Sequence, residues 1–168
     1  DEGAEMKQLI DDLLFLAKND AARAPLIPSA VDFSNAVQGA ALTMESVAFE
    51  HGIDLQTEIT PGQTVQGDAA SLHRLAVILL DNAIKYAGTG GAVTLRLAAA
   101  GSQVVLTVHN TGTPIPPDRL PHIFERFYRA DPSHTGSGTG LGLAIAQSIC
   151  QAHHAAIRAG WHDIPGRN

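Results

Sequence analysis

The stretch Gly136-Ser137-Gly138-Thr139-Gly140-Leu141-Gly142-Leu143-Ala144-Ile145 changes character halfway. Glycines alternate with other residues, and then a helix former takes over. Leu141, Ile145, Ile149 and Ala152 recur at three- and four-residue steps, which predicts an amphipathic helix from about Gly140. Without Cβ atoms the backbone can approach an anion closely, and the free N–H groups of a first helical turn point at it. A flexible linker ahead of a helix would look the same in isolation. The pattern is not a P-loop, because no Lys-Ser/Thr pair follows the last glycine.

A second stretch adds chemistry to the first. Ser71 to Ala87 has helical periodicity, with Leu72, Leu75, Ala76, Leu79, Ala83 and Ala87 expected on the core face. Ile78, Asn82, Lys85 and Tyr86 fall at i, i+4, i+7 and i+8, on another face. An Asn inside an apolar helix is costly unless its amide is satisfied. Its oxygen could ligate Mg2+, a hard cation that also takes nucleotide phosphates; equally, it could bond a neighbouring loop. Lys85, one turn on, could reach a phosphate, and the ring of Tyr86 could line a base pocket.

Composition narrows the partners. Of 168 residues, 45% are apolar, so a core can be buried. Only 17% are charged and the net charge is −6, which argues against a nucleic-acid partner. Cys150, the single cysteine, excludes a disulfide framework and fits a reducing cytosol as a small core residue. The longest strongly apolar run, Leu75 to Leu80, is far short of the roughly 18 residues that cross a membrane. The chain starts mid-pattern at Asp1 and stops at Asn168 soon after a turn, so it reads as a piece of something longer.

Taken in order, Met6, Leu9, Ile10, Leu13, Leu16 and Ala17 form a helical stripe suited to a partner helix. Ala21 to Ala24 with Pro25 and Pro28 read as a linker. Val31 to Phe33 is expected as a short strand. Ser34 is expected to cap a helix from Asn35 to His51, closed by Gly52. Ile53, Leu55 and Thr57 alternate as a strand, Pro61-Gly62 turns, Thr64 to Gly67 is another strand, and Asp68 can cap the next helix. Ala92 to Ala100 and Gln103 to Asn110 read as an antiparallel hairpin turning at Gly101-Ser102. A short helix is expected over Ile123 to Arg129, and a last strand over Ala156 to Trp161. His153-His154 is not read as a metal pair, since adjacent helical residues point apart.

The order and spacing of four motifs resemble the catalytic ATP-binding domain of two-component sensor histidine kinases, in the wider ATPase group of gyrase, MutL and the heat-shock chaperones. Leu79-Leu80-Asp81-Asn82-Ala83-Ile84-Lys85-Tyr86 resembles the N box. Asn110-Thr111-Gly112-Thr113-Pro114-Ile115-Pro116 resembles the first glycine box, Ile123-Phe124-Glu125-Arg126-Phe127-Tyr128-Arg129 the phenylalanine box, and Gly138 to Ile145 the second glycine box. Met6 to Leu14 resembles the end of the second dimerisation helix. The resemblance implies an α+β, two-layer α/β sandwich of the Bergerat type. It would have a mixed, largely antiparallel sheet of about five strands, three main helices on one face, and an N-terminal helix. Residues 1–24 would be the end of the dimerisation helix and a linker, and 25–168 the catalytic domain, stopping before its final strand.

By the same resemblance, ATP and Mg2+ are the cofactors. Asn82 would be the metal ligand, Lys85 a phosphate contact and Tyr86 a neighbour of the base. Asn110, Gly112 and Ile115 would lie along the nucleotide. Gly138, Thr139, Gly140, Leu141, Gly142 and Leu143 would hold phosphates, with Arg126 and Arg129 reaching them from a lid over Pro117 to Gly138. For Arg126, a salt bridge to a carboxylate such as Glu125 stands beside that role. The implied partners are the chain's own dimerisation and phosphoacceptor domain, as a homodimer, and a response regulator. This piece would be a cytoplasmic domain of a membrane-anchored protein, with no membrane contact of its own. None of the eight histidines lies in the acceptor motif.

Where the family usually has Asp, this chain has Asn110. Its carbonyl oxygen can still accept from the adenine amino group, but a flipped amide could donate to the O6 of guanine, so weaker discrimination between ATP and GTP is expected. Pro114 replaces a second glycine and Ile78 a commonly polar position. These departures motivate one rival reading, a docking module that has lost nucleotide binding. An anti-sigma-type serine kinase is another, opposed by the N-terminal stripe.

Overall fold

The computed structural model describes residues 2–22, 27–129 and 140–160. Among the described residues, four α-helices and five strands follow one another as α1 (Glu2–Ala22), β1 (Ser29–Asp32), α2 (Phe33–Glu50), β2 (Asp54–Ile59), β3 (Thr64–Gly67), α3 (Ala69–Tyr86), β4 (Ala92–Ala100), β5 (Gln103–Asn110) and α4 (Gly142–Ala152). The fold is α+β, and its strands divide into an antiparallel pair, β1-β3, and a triplet, β2-β4-β5. In the triplet β2 runs parallel to β4, while β4 and β5 form the expected hairpin. Gly101, at φ +62°, supplies the left-handed residue that its two-residue turn needs.

Alternation explains which side of the triplet is covered. Val93, Leu95 and Leu97 are wholly buried, while Arg96 between them is exposed. Cross-strand partners share a face, so the pairs Leu97–Leu106, Leu95–Val108 and Val93–Asn110 put the end of β5 on the buried side. Against that side lie α2 and α3. Val37, Ala40, Ala41, Met44 and Ala48 of α2 face Leu72, Leu75, Ala76, Leu80, Ala83 and Ile84 of α3 across one core. Leu79, expected inside, is half-buried; Leu80 and Ile84 take the deeper places.

Two caps differ in outcome. Asp68 caps α3 as the sequence suggests, its carboxylate accepting from the Ser71 amide at 2.9 Å and the Ser71 hydroxyl at 2.7 Å. Ser34 does not cap α2. Asp32 does, accepting from the Asn35 amide, because β1 runs directly into the helix and the capping position falls two residues earlier. Ser34 is buried instead. Its hydroxyl donates to the Thr60 carbonyl at 2.6 Å and accepts from the Gln63 amide at 2.9 Å, fixing the turn between β2 and β3.

The expected last strand is corrected. Residues 156–160 form no strand, and Trp161 lies outside the described residues. Helix α4 closes with His154 at φ +56° and with the Ala155 amide donating to the Cys150 carbonyl. His153 ties this end to α3. Its Nε2 accepts from the Asp68 amide at 3.0 Å while Nδ1 donates to the Ile149 carbonyl.

Helix α1 docks on the rest, and not with the stripe as drawn. Leu16 and Asp12 are buried, while Met6, Ile10, Leu13 and Leu14 face outward. Asp12 is held by Arg74 of α3 at 3.0 Å and by the Gln8 amide at 2.7 Å, and the Arg74 guanidinium lies 4.3 Å over the Phe15 ring.

Two outcomes are expected. Asp68→Ala lowers unfolding free energy by about 1 kcal/mol at neutral pH, the usual cost of a lost N-cap. The two Ser71 hydrogen bonds hold the Asp68 carboxyl below its ordinary 3.8. The contribution is therefore full above the unfolded-state value and disappears as pH falls through the lower folded-state value, so denaturation curves of the two proteins converge in acid. Arg74→Ala leaves the buried Asp12 carboxylate without its cation, costs roughly 1–3 kcal/mol, and raises amide hydrogen exchange across α1 while that of β4 stays low.

Candidate functional site

Three elements converge at the C-terminal half of α3. That helix carries Ile78, Asn82, Lys85 and Tyr86 on one face, all half-buried. Lys85 is paired with Asp81 at 2.9 Å, a surface i,i+4 pair that a stronger anion would displace at little cost.

The second element is the start of α4. A Cβ on Gly142 would stand 3.5 Å from the Ile78 methyl, so the first turn of α4 rests on α3 one helical turn before Asn82. No side chain caps α4. Its leading amides are those of Gly142, Leu143 and Ala144, beside a wholly buried Leu141. Such a helix start attracts anions.

The third is the end of β5. Thr111 fastens it: its hydroxyl donates to the Ala87 carbonyl and accepts from the Ala92 amide, both at 3.0 Å. Gly112, at φ +117°, sits where a Cβ would clash with the Tyr86 carbonyl, so the first glycine box closes directly over the end of α3. Asn110 is half-buried on the face shared with Val93, and its Nδ2 donates to the Thr111 carbonyl at 2.7 Å. Ile115 is half-buried beyond the glycine.

The phenylalanine box is not the short helix expected. A 3₁₀ turn covers Leu120–His122 and separate turns continue to Tyr128, because Phe127 takes a left-handed conformation and its amide donates outside the segment, to Gly140, in place of the Ile123 carbonyl that a helix would use. Ile123 is its buried anchor. The Phe127 amide donates to the Gly140 carbonyl at 2.8 Å, with both residues in left-handed conformation, at φ +65° and +75°. This bond joins the two sides of the expected lid. Glu125 pairs with His122 at 2.7 Å.

Arg126 falls on a different side of α4 from Asn82. With Leu16, Phe124, Gln147, Ser148 and Gln151 it lines a cavity of about 400 Å3 between α1 and α4. Arg129 is half-buried at the edge of the described residues, and Gly138 and Thr139 lie outside them. The structure therefore brings Gly142 against Ile78 and Thr111 and Gly112 against the end of α3, with Asn82, Lys85 and Tyr86 along the same stretch of that helix. Thr111 was missed as a site residue by the sequence reading, although a threonine between a strand end and a glycine turn is a recognisable side-chain-to-backbone tie.

A family model described as "Histidine kinase-, DNA gyrase B-, and HSP90-like ATPase" matches residues 67–167. The sensor histidine kinase CusS of Escherichia coli (strain K12) is 37% identical over 161 residues, covering 94% of this chain and 33% of its own. The chain thus spans about a third of the curated relatives it matches. Among solved structures, full-length ShkA in complex with AMPPNP superposes with a TM-score of 0.77 at 30% identity, over 90% of this chain and 32% of that one. The mycobacterial sensor histidine kinase MprB gives 0.65 at 32%, over 76% and 81%.

The two glycines at the start of α4 differ in what they tolerate. Gly140→Ala needs a left-handed alanine and sets its Cβ 2.7 Å from the Phe127 Cα. It should lower unfolding free energy by about 2–4 kcal/mol in denaturant titration. Gly142→Ala meets only ordinary contact with Ile78 and should stay within about 1 kcal/mol of wild type.

Proposed function

The chain belongs to the histidine kinase-, DNA gyrase B- and HSP90-like ATPase family, and from that membership we propose that it is the ATP-binding catalytic part of a sensor histidine kinase. The observation that carries this reading is the meeting of the Asn82 face of α3 with the uncapped start of α4, bordered by the end of β5. Residues 1–24 are then the end of a dimerisation helix and its linker, and 25–168 the catalytic domain.

ATP lies with its base toward Asn110, Tyr86 and Ile115 and its phosphates toward the start of α4. The amides of Gly142 and Leu143 and those of the preceding glycines supply donors without charge of their own. Lys85 leaves Asp81 for a phosphate. Arg129 is the cation on the lid side, and Arg126, which faces α1, is not given that role. The half-buried carboxamide of Asn82 offers a neutral hard oxygen that fits Mg2+, with phosphates and water completing the shell. Bound there, the metal supplies charge neutralisation at the phosphates.

The protein's contribution to phosphoryl transfer is positioning and electrostatics. The nucleophile is the imidazole of a histidine on the dimerisation domain, so no general base is required from this chain. The phosphoryl group then passes to an aspartate of a response regulator. Among the described residues no helix is long and apolar enough to cross a membrane. The domain works on the cytoplasmic side of a protein anchored elsewhere.

Calorimetric titration with a non-hydrolysable ATP analogue tests the assignment. Wild type binds more tightly with Mg2+ than without it. Asn82→Ala binds at least tenfold more weakly in Mg2+ and loses the metal dependence. Equal, metal-independent binding by both proteins would remove Asn82 from the metal site.

A further inference from the structure

Resting on the nucleotide reading above, we propose that His153 is a positioning residue for the phosphates: by pinning the far end of α4 to the start of α3, it sets the direction in which the leading amides of α4 point. Helix α4 has 11 residues and is about 16 Å long. Its first residue, Gly142, rests on Ile78, and its C-cap residue, His153, is bonded to Asp68 just ahead of α3. Asp68 and Ile78 are ten positions apart, about 15 Å of helix. The two spans match, so α4 lies back along α3 and is tied to it at both ends.

Both nitrogens of the His153 ring are committed. Nδ1 faces the Ile149 carbonyl at 2.7 Å. A carbonyl only accepts, so Nδ1 carries the proton, and Nε2 is left as an acceptor. The Asp68 backbone amide donates to it at 3.0 Å. Gly67 makes this approach possible, because a Cβ there would collide with the ring, 2.6 Å from Nε2. Asp68 is itself a fixed point, since its carboxylate accepts from the Ser71 amide and hydroxyl.

Peptide N–H groups lie along the helix axis, so the amides of the first turn aim where the axis aims. Ile145, Ala146, Ile149 and Cys150 hold α4 on the core, but apolar contact has no direction of its own. Packing on Ile78 fixes where the helix begins. The tilt about that point is left to whatever holds the other end, and His153 holds it with a hydrogen bond, which weakens steeply off line. A phosphate bound by several amides at once responds to such a tilt. The base, which lies toward Asn110 and Tyr86 in the reading above, does not.

The test compares this chain with His153→Ala and with His153→Gln, whose side-chain oxygen can still accept from Asp68. The probes are a non-hydrolysable ATP analogue with Mg2+, by calorimetry, and adenosine, which has no phosphate, by NMR titration. His153→Ala should bind the analogue about fivefold more weakly, the scale of one hydrogen bond, and adenosine within about twofold of wild type. His153→Gln should stay within about twofold for both probes. Equal losses for the two probes in His153→Ala would show a merely structural role and overturn the proposal, as would no loss for the analogue. A second measurement needs wild type alone, so it decides even where His153→Ala does not fold. Coupling is reciprocal, so Mg2+ and the analogue should slow hydrogen exchange of the Asp68 amide about threefold more than that of the neighbouring β3 amides, and adenosine should not. An Asp68 amide that follows its β3 neighbours would overturn the proposal and leave the nucleotide reading intact. Failure of wild type to bind the analogue would overturn the nucleotide reading and the role of His153 with it.

Discussion

Helix α3 is gripped along its apolar side and left half-open along its polar one, and the rest of the molecule follows from that division. Ala76, Ala83 and Ala87 are almost wholly buried beside Leu72, Leu75, Leu80 and Ile84. The small residues let α2 and the end of β5 come close, and the large ones fill the space between. Each fully buried leucine or isoleucine contributes about 1.5–3 kcal/mol, so the anchored side holds the helix rigidly while the other side carries groups that packing does not use. An amide in the middle of such a helix is tolerated because it sits on the edge of the packed stripe. There it is half-covered by neighbours and still reachable.

What could be read from the sequence follows from where local forces decide. The hairpin of β4 and β5, the cap at Asp68 and the lengths of α2 and α3 are set within a few residues by alternation, a side-chain acceptor and glycine conformations, and they were legible. The pairing of β2 with β4 instead of β3, and of β3 with β1, depends on the helices between them and carries no local signature. Ser34 was misplaced for a related reason. A serine ahead of a helical pattern has the right chemistry for a cap, but a turn thirty residues on gave it two backbone partners in the interior. The phenylalanine box failed as a helix because Phe127 turns left-handed to bond Gly140, a partner thirteen residues on that its apolar spacing does not announce.

The site was legible as a set of residue types, and less so as a place. Asn82, Lys85 and Tyr86 share a helix face by arithmetic, and the glycine-led helix announces free amides. That Gly142 rests on Ile78 could not be read from either segment. The departures from the family pattern acquire physical meaning here. Ile78, which takes the place of a polar residue, is the surface on which α4 is seated, so the lost polar contact is exchanged for apolar packing at the same point. Arg126 shows the opposite case: the motif brought it near α4, but the turns that replace the helix set it on the side facing α1.

That side connects the N-terminal helix to the site through packing alone. Asp12 of α1 is bonded to Arg74, which lies two helical turns before Asn82 on the same helix. Leu16 of α1 lies beside Ala144, Gln147 and Ser148, one face of the helix whose opposite face meets Ile78. Helices α3 and α4 thus each touch α1 with one surface and frame the site with another. Two packed helices do not deform smoothly, since a close-packed interior has few voids into which to shift. The exposed Met6, Ile10 and Leu13 are then the free side of a helix whose other side is already committed, through a buried carboxylate, to the body that bears the site. A displacement of α1 must either separate that buried carboxylate from its half-buried cation or carry α3 along with it.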